Sequence, residues 1–486
     1  MNTRKQKLLL NTAIFAISNF ASKVLVFLML PIYTSILTTS EYGTADLIIA
    51  IGTLSLPFLT MCIGDAGLRF AIENENDKKR VFTQGLLIVF IGTVLLFLLY
   101  PAFAHISFIG GENLIYVYLI TVPYFFSDYF LKYARGVGKI REVGLSGVLS
   151  TFVMILTNII CLVVLKLGLY GYLLSFCATY TVNVIYMLIF AKLYKYFSVD
   201  TIRHFDMELM KKMLKYSLPL MPNQTCWWIN DTANKFIINS KLGPDSVGLY
   251  SAAYKIPATV TTVQNFFSDA WLLSAIEEGK SEDKLDFYIK YYDFYCSLLV
   301  IMCSGMMVIT KPLAQFLFSD SFIEAGLYVP GLLLSSMLGG MVGFIGAFFN
   351  AYNKTKYLFT STITGAACSI VLNYLLTSVI GVLGAVVSNV LSYTIIWLMR
   401  FFEARRVLKI KLHYKKIFAS YIILLTQIFL SFLLNDYYIW LTVSNITFLL
   451  LCFLVWKSEV TLLTSGTIEL IKKKINQIGR GSKAGL

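Results

Sequence analysis

The sequence predicts an all-α polytopic membrane protein of about fourteen transmembrane helices, and three observations carry that expectation. Hydrophobic residues make up 57% of the 486 and charged residues only 14%, where a soluble domain carries about a quarter charged. Apolar stretches recur along the whole chain, each long enough to cross a hydrocarbon core about 30 Å thick. Lysine and arginine gather in every second loop between them, as cytoplasmic loops do.

Taken in order, the first span, 8–37, runs through Pro31 into a loop. It is too long for a cleaved signal peptide and lacks a small-residue cleavage site. Spans two to six follow at 43–64, 82–103, 114–134, 144–165 and 171–191. A polar stretch, 196–215, leads into span seven, 216–240, which opens on Pro219 and Pro222. Spans eight to ten lie at 247–270, 291–311 and 325–349, and Pro257 and Pro330 interrupt the eighth and tenth. Proline removes a backbone donor and bends a helix, and freed carbonyls are tolerated at membrane depth only beside protein or a cavity. Spans eleven to fourteen lie at 357–380, 382–400, 417–434 and 438–456. In the tail, Ile468, Ile471, Ile475 and Ile478 recur at helical spacing beside Lys472, Lys473 and Lys474. That pattern suits either an amphipathic helix on an anionic inner leaflet or a disordered basic tail.

The net charge of +14 raises the question of nucleic acid. Of the 41 lysines and arginines, Lys23, Lys235 and Lys255 lie in spans and Lys166, Lys241 and Lys311 in the alternate loops. The rest sit at the two ends and in every second loop, which predicts both termini on the cytoplasmic side of the cell inner membrane. A nucleic-acid face needs positive charge gathered on one folded surface, and this charge is periodic, so nucleic acid is excluded as a partner. The eight cysteines all fall in spans, with no CxxC pair, and the three histidines are far apart. They read as packing residues, with no metal site and no cofactor expected.

Gly168-x-x-Gly171-x-x-x-Ser175-x4-Tyr180 recurs as Gly381-x-x-Gly384-x-x-x-Ser388-x4-Tyr393. A looser echo pairs Glu41-Tyr42-Gly43 with Val247-Gly248-Leu249-Tyr250. Spans one to six and seven to twelve therefore read as two copies of one six-helix unit. Six is even, so the copies are parallel across the membrane, a transporter construction with the substrate site between the halves. The expected organisation is an N-terminal six-helix lobe at 1–195 and a cytoplasmic linker at 196–215. A C-terminal six-helix lobe at 216–405 and two additional transmembrane helices at 406–457 follow, then the tail at 458–486.

Charges inside spans are costly and point to function. Lys23 lies near the middle of span one; Lys235 and Lys255 lie in the outer halves of spans seven and eight. Converging on one water-filled cavity, they form a chamber for an anionic group such as a phosphate or pyrophosphate. Structural roles compete: Asp231 is one turn before Lys235 and offers it an ion pair, and Lys255 can snorkel outward. Asp65, Asp128, Asp231 and Asp269 are the acidic candidates for a coupling proton or sodium ion. Asp65 with Arg69 and Asp128 with Lys132 also read as structural ion pairs. Asn223, Gln224, Trp227, Trp228 and Asn230 supply amides and indoles suited to sugar hydroxyls, or to helix–helix hydrogen bonds.

Pro31-Ile-Tyr-Thr-Ser-Ile-Leu-Thr-Thr-Ser-Glu-Tyr-Gly43, Tyr216-Ser-Leu-Pro-Leu-Met-Pro222 and Val247-Gly-Leu-Tyr-Ser-Ala-Ala-Tyr-Lys-Ile-Pro257 stand at three span entries. Their order and spacing resemble the Wzx-like polysaccharide repeat-unit flippases of the multidrug/oligosaccharidyl-lipid/polysaccharide exporter (MOP) superfamily. The likeness covers roughly residues 8–400. It implies two lobes around a central cationic cavity and alternating access. It also implies an undecaprenyl-pyrophosphate-linked oligosaccharide turned from the inner to the outer leaflet. Lys23 matches a basic residue of the family's first span, and Lys235 and Lys255 fall where basic cavity residues are expected. Where the family often has arginine this chain has lysine, a point charge in place of a bidentate grip. Membrane lipids and polysaccharide-assembly proteins are the implied partners.

The leading expectation is therefore a lipid-linked oligosaccharide flippase and not an enzyme. A cation-coupled multidrug exporter of the same superfamily is the alternative, which carboxylates lining the cavity would favour. A membrane-embedded glycan-assembly enzyme is the third, and the short outer loops leave little room for its catalytic groups.

Overall fold

The computed structural model describes residues 23–73, 77–101, 113–265, 267, 284–352, 354–407, 413–459 and 461. Asp269, the start of the first span and the isoleucine pattern of the tail lie outside the described residues. The described residues form helices and turns with no strand.

The helices run in chain order as α1 (Lys23–Ile36), α2 (Thr39–Leu59), α3 (Ile63–Glu73), α4 (Lys78–Leu98) and α5 (Asn113–Gly136). Next come α6 (Ile140–Val164), α7 (Gly168–Ile189), α8 (Val199–Arg203), α9 (Met207–Ser217), α10 (Leu220–Leu242) and α11 (Pro244–Tyr254). The rest are α12 (Lys284–Leu317), α13 (Ala325–Ala351), α14 (Thr355–Ile380), α15 (Val382–Val407), α16 (Tyr414–Leu433) and α17 (Tyr438–Val455).

Among the described residues, 11 helices are long and apolar enough to cross a membrane. The three expected spans missing from that set are those carrying Lys23, Lys235 and Lys255. Of the first, only Lys23–Ile36 is described. The seventh, α10, is 23 residues long but too polar, with Asp231, Lys235 and Lys241 along it. The eighth breaks after Tyr254, because Pro257 cannot donate to the carbonyl of residue 253. Lys255 bonds instead to Ala252 O at 3.1 Å.

Local chemistry sets the starts of several helices. Thr38 and Glu41 form a capping box at the head of α2, which satisfies two orphan donors at once. Asp206 caps α9 through Glu208 N and Leu209 N, both at 3.0 Å, and its carbonyl accepts from Gln84 Nε2 at 3.0 Å. The linker is thus a pair of short helices tied to α4. The repeated glycine motif has one structure in both copies. Gly168, the first residue of α7, and Gly381, just before α15, take φ of +53° and +64°. Three residues on, an added Cβ would lie 3.0 Å from Cys161 O at Gly171 and 2.2 Å from Leu376 O at Gly384. The second glycine is therefore where the outgoing helix presses on the backbone of the incoming one.

The chain divides into two compact units. One gathers the described residues up to Lys255 with Ala314–Ala325 and Thr362–Ser388. Its interior is rich in tyrosine: Tyr42, Tyr129, Tyr133 and Tyr172 are all buried, and Tyr129 Oη donates to Phe82 O at 2.8 Å. The other unit gathers the described residues of Ile256–Leu313, Gly326–Ser361 and Asn389–Leu486. Here buried Arg400 donates to Ser361 Oγ at 2.9 Å and Val342 O at 2.8 Å, joining α15 to α13 and α14. His413 at the head of α16 pairs with Asp293 on α12 at 2.5 Å. Ser304 Oγ donates to Gln427 Oε1 at 2.8 Å, docking α16 on α12. Most of α16 and α17 stays uncovered by protein, as suits helices facing lipid.

Candidate functional site

The N-terminal ends of α2 and α11 cross at two glycines. A Cβ on Gly43 would lie 2.0 Å from Pro244 O, and one on Gly248 would lie 2.0 Å from Thr39 O. The contact is reciprocal, four residues apart on each side, so the two segments of the looser sequence echo cross one another. Thr39 Oγ1 donates to Asp245 Oδ1 at 2.5 Å at its rim.

One turn in from the glycines, Asp46 on α2 faces Ser251 on α11. Asp46 Oδ2 accepts from Ser251 Oγ at 2.6 Å and from Lys235 Nζ on α10. The carboxylate and ammonium side chains are 13% and 15% exposed, so this ion pair is well shielded from water. Lys255, half-buried at the α11 break, also acts electrostatically on Asp46 and on Tyr172. Lys23, exposed on α1, is close enough to Lys255 for their charges to repel. Of the three lysines named from the sequence, Lys235 bonds Asp46, Lys255 acts on it, and Lys23 meets the group only through Lys255. Sequence reasoning did not single out Asp46, although an aspartate early in an apolar run is the same signal that marked the other four.

Asp231, expected as the partner of Lys235, acts on Tyr254 of α11, while the ion pair of Lys235 goes to Asp46. Beside the cluster, Tyr172 stacks edge-on against Tyr33 at 4.9 Å and tilts against Tyr42 at 5.6 Å. Asn158 Nδ2 donates to Tyr33 Oη at 3.0 Å.

A second charged group lies at the other end of α10. Lys132 Nζ on α5 sits 3.1 Å from both Asp65 Oδ2 and Asp128 Oδ2. Gln224 Nε2 on α10 donates to the same Asp65 oxygen at 3.1 Å. Asp128 and Lys132 pair as expected, but Asp65 does not pair with Arg69. Arg69 turns to Glu73 at 2.8 Å and lies over the Tyr216 ring at 4.5 Å. The reason is local: Met61 and Cys62 both take φ of +52°, which restarts the helix so that Asp65 faces α5. Gly64 there leaves room for Asp128 and Lys132, each of which would stand 2.9 Å from an added Cβ.

Between the two groups, Trp228 Nε1 donates to Thr53 Oγ1 at 3.1 Å. Asn230 is buried and donates to Cys226 O at 2.8 Å, a bond within its own helix. Asn223 is half-buried near the head of α10. The polar residues of α10 are thus spread along its length and not gathered at one point.

A family model described as Polysaccharide biosynthesis protein matches residues 8–272, more than half of the chain. An uncharacterized membrane protein of Methanocaldococcus jannaschii is 22% identical over 414 residues, spanning 81% of this chain and 96% of its own. Among solved structures, the lipid II flippase MurJ in an inward closed conformation matches with a TM-score of 0.67 at 15% identity. That match covers 94% of this chain and 100% of that one. An inward-facing multidrug resistance MATE family transporter of the MOP superfamily matches at 0.63 and 16% identity, covering 81% and 99%. At these identities the likeness is one of fold.

Proposed function

The chain belongs to the polysaccharide biosynthesis protein family, and from that premise we propose that it is a flippase for a lipid-linked oligosaccharide. It is a multi-pass membrane protein with the fold of MOP superfamily transporters. The proposed cargo is an undecaprenyl-pyrophosphate-linked repeat unit, turned outward across the cell inner membrane by alternating access of two six-helix lobes, with both termini cytoplasmic.

The observation that carries this reading is the grouping of Lys235 and Lys255 about Asp46, with Lys23 near enough to Lys255 to repel it. Counting Asp231, one turn from Lys235, the group keeps one net positive charge. Uncompensated charge inside a membrane protein is expensive and is kept for a ligand or an ion path. A cluster with surplus ammonium groups suits a diphosphate, and it disfavours the organic cations of a multidrug exporter. The amides and indole of Asn223, Gln224, Trp228 and Asn230 are proposed to meet sugar hydroxyls, and Asp128 and Asp231 remain candidates for a coupling proton or sodium ion.

The test is a reconstituted flipping assay with a fluorescent undecaprenyl-diphosphate sugar, backed by surface polysaccharide export in cells. Lys23→Ala and Lys23→Asp are expected to insert normally and to cut transport at least tenfold, the order set by losing one charged contact. Wild-type transport by both would sink the proposal. Drug resistance without a polysaccharide phenotype would favour the multidrug exporter, and covalent sugar transfer would establish an enzyme.

A further inference from the structure

We infer that Asp46 stands in for a substrate phosphate: it is an internal counter-anion that the ligand must displace, and its displacement releases the outer crossing of α2 and α11. The inference rests on the cationic-site reading above and adds to it a residue that sets selectivity and couples binding to opening.

The geometry is that of a bound phosphate oxygen. One oxygen of Asp46 takes a hydroxyl from Ser251 and the ammonium of Lys235, and Lys255 acts on it electrostatically. A substrate anion seeking Lys235 and Lys255 must compete for the same cations. Asp46 is tethered, so it competes at an effective concentration in the millimolar range or above. A monoanion that replaces it gains little, because one negative charge is exchanged for another. A diphosphate carries enough charge to engage Lys235, Lys255 and Lys23 together, and only such a ligand profits from the exchange. The carboxylate thereby filters for diphosphate over monophosphate.

The same carboxylate is structural. It lies three residues from Gly43, and Ser251 lies three residues from Gly248, so the two face each other one turn below the crossing. Through Lys235 the carboxylate also ties α2 to α10. Drawing Lys235 onto a ligand removes that tie, and once the freed carboxylate also leaves Ser251 the crossing is held by Thr39–Asp245 and glycine packing. Binding and outer release then draw on one ion pair.

The experiment uses the full chain in phosphatidylcholine nanodiscs, with inorganic pyrophosphate and inorganic phosphate titrated calorimetrically. Wild type is expected to prefer pyrophosphate. Asp46→Asn should tighten pyrophosphate binding about tenfold, the size of a close charge–charge coupling, and narrow the preference. Asp46→Glu should restore the wild-type pattern. The gain should vanish in an Asp46→Asn/Lys235→Gln double variant. Ser251→Ala, which removes the other contact to the carboxylate, should act in the same direction and guards against misfolding of the first variant.

For the crossing, Val247→Cys places a thiol at a fully buried position beside Gly248. Its labelling by a membrane-impermeant maleimide added outside should rise with Asp46→Asn, against a background of the native cysteines alone. Unchanged or weaker pyrophosphate binding in a normally folded Asp46→Asn, or a gain that persists without Lys235, overturns the inference. Unchanged labelling overturns its coupling half. If Lys23→Ala, Lys235→Gln and Lys255→Ala weaken pyrophosphate while Asp46→Asn does not strengthen it, the cationic site stands and this inference alone falls. If wild type binds no pyrophosphate and the lysine variants transport normally, the site reading falls, and the inference with it.

Discussion

Gly43 and Gly248 illustrate what a single residue decides. Replacing a helix-interior glycine by alanine gains about 1 kcal/mol of helix propensity. At these two positions the added carbon would lie 2.0 Å from a carbonyl oxygen of the facing helix, which is backbone and cannot step aside. Overpacking of this kind costs about 1–3 kcal/mol, so the clash outweighs the propensity. Gly43→Ala and Gly248→Ala are each expected to lower the midpoint of thermal unfolding in detergent. A raised midpoint would mean that the crossing is loose. The glycines were visible in the sequence as an echo between two span entries, but their mutual contact was not, because 205 residues separate them. Asp46 was missed for a related reason: its meaning comes from Lys235 and Ser251, which no local pattern connects to it.

At the scale of one element, α10 is too polar to cross a membrane on its own hydropathy. Several of its polar groups are met by other helices. Gln224 reaches Asp65, Trp228 reaches Thr53, and Asn234 Oδ1 accepts from Asn373 Nδ2 of α14. In lipid a polar group without a partner costs several kcal/mol, whereas interhelical hydrogen bonds in membranes contribute about 0.6 kcal/mol each on average. Such bonds therefore hold α10 in register more than they add to total stability. Asn373→Leu removes the amide donor from the Asn234 carbonyl, which also takes a 3.4 Å contact from Ser369. It is expected to destabilise the protein by about 1 kcal/mol and to raise proteolytic sensitivity near α10. Unchanged digestion and melting would show that α10 is held by apolar packing alone. The sequence marked these residues as amides and indoles in a span, and left open whether they serve sugars or neighbours. For Gln224 and Trp228 the structure supplies the neighbours, and a sugar would have to replace them.

For the whole molecule, the alternation of basic loops predicts orientation independently of any contact. Fluorescent-protein fusions at both termini are expected to be bright and alkaline phosphatase fusions at both to be inactive, since the first matures inside and the second outside. An active phosphatase fusion at either end would invert the topology and, with it, the direction proposed for transport.

By itself the sequence determined that the chain lives in a membrane and where 11 of its spans fall, and its glycine spacing predicts a repeat. These are properties of hydropathy, charge and glycine spacing that act locally or add along the chain. Tertiary structure alone decided which charges meet. Lys235 had an aspartate one turn away and pairs with one 189 positions distant, and Asp65 passed over Arg69 for Lys132. In a low-dielectric interior the partner is whichever group packing brings near, and packing between distant helices is not written in any window of neighbouring residues.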